Sequence, residues 1–454
     1  MGATTVIVPQ LRKEANSTDA VTPEMASWLS SMFAYSAIPW VFIAPMLAYR
    51  FGRKVCLILI TINVIIGNII FYCSTSFIEL LISQTTQGML LGSIVPISVM
   101  VLSEYTSPKY RGILFTIKAA TTYWGVWVSN AIGTFFHWRN IGIVIFICSI
   151  YNFISCIFCC ESPYWLASKG RFDECAKVHR WLKGTNVDSE EELRKLILSQ
   201  QENLNLKNEL NGQIKVKKYL KILNIIRRES FYKPFVYACL PMILYNATGK
   251  IACTVYAIDI IKNITSSERM AYEGMLILDA VTVVGMYLGC ALSKVVTRRK
   301  QLLVFSSAGI GFLYGLSIYL YMLKFHIVPE NNYISLVFLM GFSISIGCGP
   351  IILAPCCSAE LSPLRNRSYF LCLQTFMNNL FLATSLKISP AIFKVCGTAG
   401  GFLFYAVCST VSIFIVYKYL PETKDLTIQE IEKRITTGNR HDRKTAETEI
   451  VSLK

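Results

Sequence analysis

The stretch ELLISQTTQGMLLGSIVPISVMVLSEYTSPKYRG, residues 79–112, decides the fold. From 79 to 102 it carries one charged side chain, Glu79, and then charges arrive together at Glu104, Lys109 and Arg111. A helix over that run rises about 36 Å, enough to cross a hydrocarbon core of about 30 Å. The pattern recurs. Glu360 and Arg367 close another apolar run 256 positions after Glu104 and Arg111, with Pro363 between them as Pro108 is. Gly52-Arg53-Lys54 and Arg298-Arg299-Lys300 follow two further runs, which sets Arg299 246 positions after Arg53. Matched spacing in two halves points to duplicated helical bundles, a design in which solute binds where the repeats meet.

Working outward, apolar runs of span length occur at 25–49, 55–74, 79–102, 112–135 and 140–160, and again at 235–261, 271–292, 301–325, 332–358, 369–393 and 400–420. The whole chain has 454 residues, 53% hydrophobic and 16% charged, with a mean hydropathy of +0.47. Residues 161–233 hold 25 of the charged side chains and 421–454 hold 14. What remains is too poor in charge to present a soluble surface, so a water-soluble enzyme is excluded. The fold expected is an all-α polytopic membrane protein with the bilayer as its surroundings.

The net charge of +16 reads as basic cytoplasmic connectors rather than nucleic-acid binding. Arg50, Arg53, Lys54, Lys109, Arg111, Arg298–Lys300, Arg365 and Arg367 fall on one side with the long loop, so that loop and the C-terminus are expected inside the cell. The organisation expected is a transmembrane bundle over 1–160, a cytoplasmic loop with short helices over 161–233, a six-helix bundle over 234–420 and a cytoplasmic tail over 421–454. Within the loop, an amphipathic stretch runs from Asp188 to near Leu204, and the tail carries a short helix at Leu426–Ile435. Asn16-Ser17-Thr18 and Asn263-Ile264-Thr265 are sequons on the outer side, so Asn16 and Asn263 are the expected glycan acceptors.

Several classes of chemistry find no support. The Cys156, Cys159 and Cys160 cluster sits in an apolar run without a partner His or charge, so no metal site is expected there. No phosphate-cradling glycine loop and no nucleophile–base spacing occur, so neither an enzyme nor a nucleotide-driven pump is expected, and no cofactor.

Local motifs then carry a resemblance. Arg50-Phe51-Gly52-Arg53-Lys54, Glu104 to Gly112, His137-Trp138-Arg139-Asn140, Glu161-Ser162-Pro163-Tyr164-Trp165-Leu166 and Pro421-Glu422-Thr423-Lys424 resemble the motifs of sugar porters of the major facilitator superfamily. Within these, the chain is most similar to the insect facilitated trehalose transporter group. The resemblance runs from residue 2 to about 432. It implies two pseudo-symmetric helical bundles and twelve helices, against eleven runs seen, so a helix before Gly2 is expected to be missing. Residues 1–24 hold no signal peptide, and the apolar piece Gly2–Pro9 is too short to span.

The resemblance also implies an inward-side gating network of Arg53, Glu104, Arg111, Arg299, Glu360 and Arg367. Ion pairs at bundle ends that form in one state and part in another bias an alternating-access equilibrium. The chain departs from the pattern at Tyr49 and Val295, where an acidic residue is expected, and at Gln84 and Tyr164, where an Arg is.

Sugars are held by directional hydrogen bonds from amides and hydroxyls, with aromatic rings against their apolar faces. The candidates are Tyr245, Asn246, Thr248, Lys250, Gln374 and Asn378, together with Asp279. Aligned on Gly249, Tyr245 and Asn246 stand where the family has a Gln pair, Thr248 where it has Ser, and Ile251 where it has Asn. The family's GPxPW segment reads Gly349-Pro350-Ile351-Ile352-Leu353 here. Lys250 and Asp279 fall near mid-span on consecutive helices, where an isolated charge costs several kcal/mol, so they are expected to pair. That pair reads either as a structural bridge or as an ion or polar-solute site. Lys118, near a helix end, reads as a snorkelling side chain.

The function expected is facilitated transport of a small sugar, trehalose or a hexose, by alternating access. The alternatives are a same-fold transporter of another polar or charged solute, and a non-transporting sensor or pseudotransporter. A monomer in the cell membrane is expected.

Overall fold

The computed structural model describes residues 2–14, 21–106, 108–210, 227, 229–329, 331–362 and 367–422. All regular structure among them is helical. In the first half come α1 (Gly2–Glu14), α2 (Pro23–Phe51), α3 (Arg53–Cys73), α4 (Phe77–Tyr105), α5 (Pro108–Phe135) and α6 (Arg139–Phe158), then the short α7 (Pro163–Ser168), α8 (Phe172–Lys183) and α9 (Val187–Leu210). The second half holds α10 (Glu229–Ala247), α11 (Lys250–Val255), α12 (Ala257–Thr265), α13 (Glu268–Leu292), α14 (Arg298–Lys324), α15 (Asn332–Cys348), α16 (Pro350–Glu360) and α17 (Arg367–Tyr419). The tail helix expected at Leu426–Ile435 and the sequon at Asn16 lie outside the described residues.

The chain divides into two compact units. One comprises Val6–Thr122 with Ser129–Lys218, so α7, α8 and α9 belong to it. Here α2 packs on α4, and α3 on both α4 and α6. Ala44, Ala48, Cys56, Ile60, Met89 and Ile97 form one buried cluster between them. Small residues at such positions let helix backbones approach closely, which is how helices associate where lipid removes the hydrophobic drive. Helix ends follow from local chemistry: Thr22 caps α2 by accepting from the Met25 N–H, and Ser76 with Glu79 forms a capping box on α4.

Helix α1 extends the apolar piece Gly2–Pro9 to 13 residues, about 20 Å, still shorter than a hydrocarbon core. Its Val6, Ile7 and Val8 are buried. Gln10 ties its end to the α5–α6 turn, donating to the Gly133 and Phe136 carbonyls and accepting from the Trp138 N–H.

The other unit comprises Met1–Thr5, Tyr123–Val128 and Tyr219–Lys454. There α13 and α14 pack on α15, and α10 on α16 and α17. Phe231, Leu244, Leu302, Leu353, Phe370 and Val416 belong to one buried apolar cluster of this unit.

Eight helices among the described residues are long and apolar enough to cross a membrane. One of them is α17, 53 residues long and broken at Gly397 (φ 72°, ψ 175°). Laid straight it would run about 80 Å, more than twice a hydrocarbon core, so it carries both runs expected at 369–393 and 400–420. The run expected as one span at 235–261 is different. It is three pieces, α10, α11 and α12, interrupted at Thr248–Gly249 and at Tyr256.

Candidate functional site: a broken helix and two ion-paired helix ends

The break after α10 has a definite cause. Gly249 lies in the left-handed region at φ 68°, ψ 7°. A Cβ there would sit 2.6–2.8 Å from the Tyr405 ring, so both conformation and space call for glycine. Tyr405 is itself held by Ser389, the two hydroxyls standing 2.6 Å apart. Thr248 closes the break by donating its hydroxyl to the Tyr245 carbonyl at 2.7 Å and accepting from the Lys250 N–H at 3.4 Å. Thr248, a candidate solute contact in the sequence, therefore spends its hydroxyl on the backbone.

Breaking the helix sorts the remaining candidates into groups. The Asn246 amide donates to the Met242 carbonyl at 2.8 Å and to the Asn378 side-chain oxygen at 3.3 Å. Among the described residues Asn246 Oδ1 is buried with no hydrogen-bond partner, and the same holds for Asn379 Nδ2. Unpaired buried amide atoms cost stability, and they mark where a ligand could supply the missing partner. Gln374, one turn before Asn378, is committed instead to the Ala238 carbonyl at 3.3 Å, bracing α17 against α10. The Tyr245 hydroxyl pairs with that of Tyr123 at 2.7 Å. Tyr123 was not among the sequence candidates, because one tyrosine in an aromatic stretch of α5 carries no signal of its partner.

Lys250 and Asp279 form a separate place. Both are buried, 3% and 5% exposed, and both line one cavity of about 10 Å³ with Ser343, Thr254 and Phe342. That is close to the least space that holds one water. The Lys250 ammonium donates to Ser343 Oγ at 3.0 Å and lies within electrostatic reach of the Asp279 carboxylate. This cavity faces α13 and α15, whereas Asn246 faces α17. Lys118 does not snorkel freely: it is half-buried and donates to Ser98 Oγ.

At the helix ends the two halves repeat one another in detail. Arg53 grips Glu104 through Nε at 2.9 Å and Nη2 at 2.7 Å, a bidentate pair with side chains 7% and 11% exposed. Ser162 donates its hydroxyl to the same carboxylate at 2.5 Å. Glu161 accepts from the backbone N–H groups of Arg53 and Lys54, capping the start of α3. In the second half Arg298 pairs with Glu360, and Glu422 accepts from the N–H groups of Arg298 and Arg299 at 3.2 Å each. The counterpart of Arg53 is thus Arg298, 245 positions on, rather than Arg299 as the sequence register suggested. The Arg299 guanidinium donates to the Tyr417 carbonyl. Cys356, one turn before Glu360, also accepts from Arg298 at 2.8 Å. Arg111 and Arg367 stand in the first turns of α5 and α17, and their side chains lie outside the described part.

Glu161 and Glu422 are the functional-end residues that the candidate network omitted. Each sits just past a span, in the Glu161-Ser162-Pro163 and Pro421-Glu422-Thr423 motifs. The motifs named them, but a carboxylate bonded to backbone N–H groups leaves no complementary charge in the sequence to pair it with. Asn263, the other sequon acceptor, is exposed in the last turn of α12.

Comparison with known proteins bears on this arrangement. The chain is similar to the facilitated trehalose transporter Tret1 of Bombyx mori, 26% identical over 440 residues that cover 94% of this chain and 82% of that protein. It is also similar to Tret1 of Drosophila willistoni, 24% identical over 424 residues, covering 91% of this chain but spanning only 46% of that protein. Among solved structures it is similar to the proton:xylose symporter XylE bound to 6-bromo-6-deoxy-D-glucose, with a TM-score of 0.71 at 15% identity and 95% of each chain covered. The partially occluded inward open conformation of XylE from E. coli gives a TM-score of 0.74 at 14% identity, covering 94% and 95%. These structures establish the major facilitator fold. The family described as Sugar (and other) transporter matches residues 2–434, and with that fold beneath it the chain belongs to this family of membrane transporters.

Proposed function

We propose that this chain is a facilitative transporter of a small uncharged sugar, trehalose or a hexose, working by alternating access in the cell membrane as a monomer with a cytoplasmic C-terminus. The observation that carries the reading is the amide pair Asn246–Asn378 beside a helix break, with Asn246 Oδ1 left as a buried acceptor without a partner among the described residues. A sugar hydroxyl has the donor that this atom lacks. Discontinuous helices are a recurring place for solute sites in transporters. Similarity to trehalose transporters and to a xylose symporter supports sugar as the solute class. Tyr245, next to Asn246 in the chain and paired through its hydroxyl with Tyr123, is an aromatic candidate for the apolar face of a sugar.

In this reading the ion-paired ends Arg53–Glu104 and Arg298–Glu360 hold one state and part in another, with Arg111, Arg299 and Arg367 as further members of the network. Asn263 and Asn16 carry glycans on the outer side. A second reading, transport of a charged solute, draws on Lys250 and Asp279. What supports the neutral solute instead is that Lys250 is already engaged by Ser343 and sits in the field of Asp279, on another side of the helix from Asn246. Uptake of labelled trehalose and glucose into cells bearing the chain at their surface tests the proposal. Saturable uptake weakened in Asn246→Ala upholds it, and saturable uptake unchanged in that variant removes Asn246 from the site.

A further inference from the structure

We infer that Lys250, Asp279 and Ser343 are positioning residues: together they anchor the segment after the Gly249 break and so hold the Asn246 amide against Asn378. The inference rests on the reading of Asn246 and Asn378 as the solute site, and deepens it.

The break needs anchoring, because an interrupted helix has lost the continuous hydrogen-bond ladder that would otherwise fix the rotation of one piece against the next. Across Thr248–Gly249 the surviving links are few: the Gly249 N–H to the Asn246 carbonyl at 3.3 Å, the Cys253 N–H to the Gly249 carbonyl at 2.9 Å, and the Thr248 hydroxyl bonds. From the α17 side, Tyr405 packs on Gly249 and Ser409 donates to the Ala247 carbonyl at 3.1 Å. Something must hold the opposite side. Lys250 is the first residue past the break, and its ammonium reaches Ser343 on α15 at 3.0 Å while Asp279 on α13 shares its cavity.

Such an anchor is stiff for a physical reason. A buried ammonium is confined to the few polar partners within reach, since leaving them strands a charge among apolar side chains. Here, apart from Asp279, Ser343 and Thr254, the lining is mainly apolar, with Ile260, Ile261, Leu278, Leu339 and Phe342, so the head group has few places to be. Fixing it fixes the rotation of α11, and Asn246 lies one helical turn earlier on the other side of the break. A residue acting this way touches no solute. Its loss alters how well the site is formed, and so the half-saturation concentration, more than the maximal rate.

The test compares the wild type with the neutral pair Lys250→Met with Asp279→Asn, the swap Lys250→Asp with Asp279→Lys, and Ser343→Ala, at matched surface levels and with labelled trehalose and glucose as probes. The neutral pair is expected to raise the half-saturation concentration about 5-fold or more while the maximal rate stays within about 2-fold, with Ser343→Ala moving the same way by about 2-fold and the swap returning toward wild type. Wild-type half-saturation in the neutral pair overturns the inference and leaves a bridge that serves folding alone. Should that variant fail to reach the surface, an unchanged half-saturation in Ser343→Ala overturns it. A second readout does not depend on transport: the rate of oxidative cross-linking between Asn246→Cys and Asn378→Cys is expected to fall about 5-fold when the neutral pair is introduced. An equal rate in both backgrounds overturns the positioning role even in a chain that moves neither sugar. Absence of saturable uptake in the wild type overturns the solute-site reading instead.

Discussion

The Asn246 side chain donates to the Asn378 side chain at 3.3 Å, and that bond joins the last turn of α10 to α17 across the mouth of a helix break. Because Asn246 Oδ1 has no partner among the described residues, the pair is half-satisfied. Removing either amide deletes a donor or acceptor from the site without opening a large cavity. Asn246→Ala and Asn378→Ala are each expected to raise the half-saturation concentration for sugar about 5- to 30-fold, the equivalent of one hydrogen bond worth about 1–2 kcal/mol. The double variant should cost less than the sum, since the two act together. Uptake kinetics at equal surface protein check this.

Gly249→Ala is expected to destabilise the second unit by about 2 kcal/mol or more. It forces a side chain into a left-handed conformation and against the Tyr405 ring at 2.6 Å. Thermal unfolding in detergent should show a lower midpoint. The paired variant Gly249→Ala with Tyr405→Leu should recover part of the steric loss and none of the backbone loss. Full tolerance of Gly249→Ala would contradict the break as drawn.

The register of the repeat makes an asymmetric prediction for two neighbouring arginines. Arg298 holds the Glu360 carboxylate, whereas the Arg299 guanidinium donates to the Tyr417 carbonyl and lies over the Tyr417 ring. Arg298→Ala should therefore lower thermal stability more than Arg299→Ala. In the first half the bidentate Arg53–Glu104 pair is more deeply buried, so Arg53→Ala should cost the most, about 3–5 kcal/mol, by leaving Glu104 uncompensated. Equal effects at Arg298 and Arg299 would refute the register.

Outside the membrane, His179 of α8 is buried and its Nε2 stands 3.1 Å from the Ser189 carbonyl. Burial, and then the nearby Lys183 charge, push its pKa below the ordinary histidine value of 6.5. A depressed base binds a proton more readily in the unfolded state, so stability is full above that ordinary value and is lost as pH falls through it. Hydrogen exchange in residues 172–210, corrected for its intrinsic rate, is expected to speed up between pH 7.5 and 5.5. His179→Gln should remove most of that pH dependence.

Much of the fold was legible because membrane crossing depends on run length and charge, both plain in the sequence. The break at Gly249 was not, since one glycine leaves the hydropathy of residues 235–261 unchanged, and only the Tyr405 ring shows why it is there. Of the site, Asn246 is legible by alignment on Gly249 and Asn378 as an amide in a later apolar run that matches a family Asn, while Lys250 and Asp279 stand out as ionisable residues in apolar runs. Ser343 was invisible: span helices hold many hydroxyls, and most bond their own backbone, as Ser345 does to Gly341. The choice between Arg298 and Arg299 could not be made from an Arg-Arg-Lys run, where a shift of one residue preserves the motif and changes the partner.

Uptake of labelled trehalose and glucose into cells expressing the chain, with surface protein confirmed through the glycan expected at Asn263, tests sugar transport most directly. Saturable uptake of at least one of the two is expected, competed by the unlabelled sugar and weakened in Asn246→Ala. Normal surface protein with no saturable uptake of either sugar would contradict it.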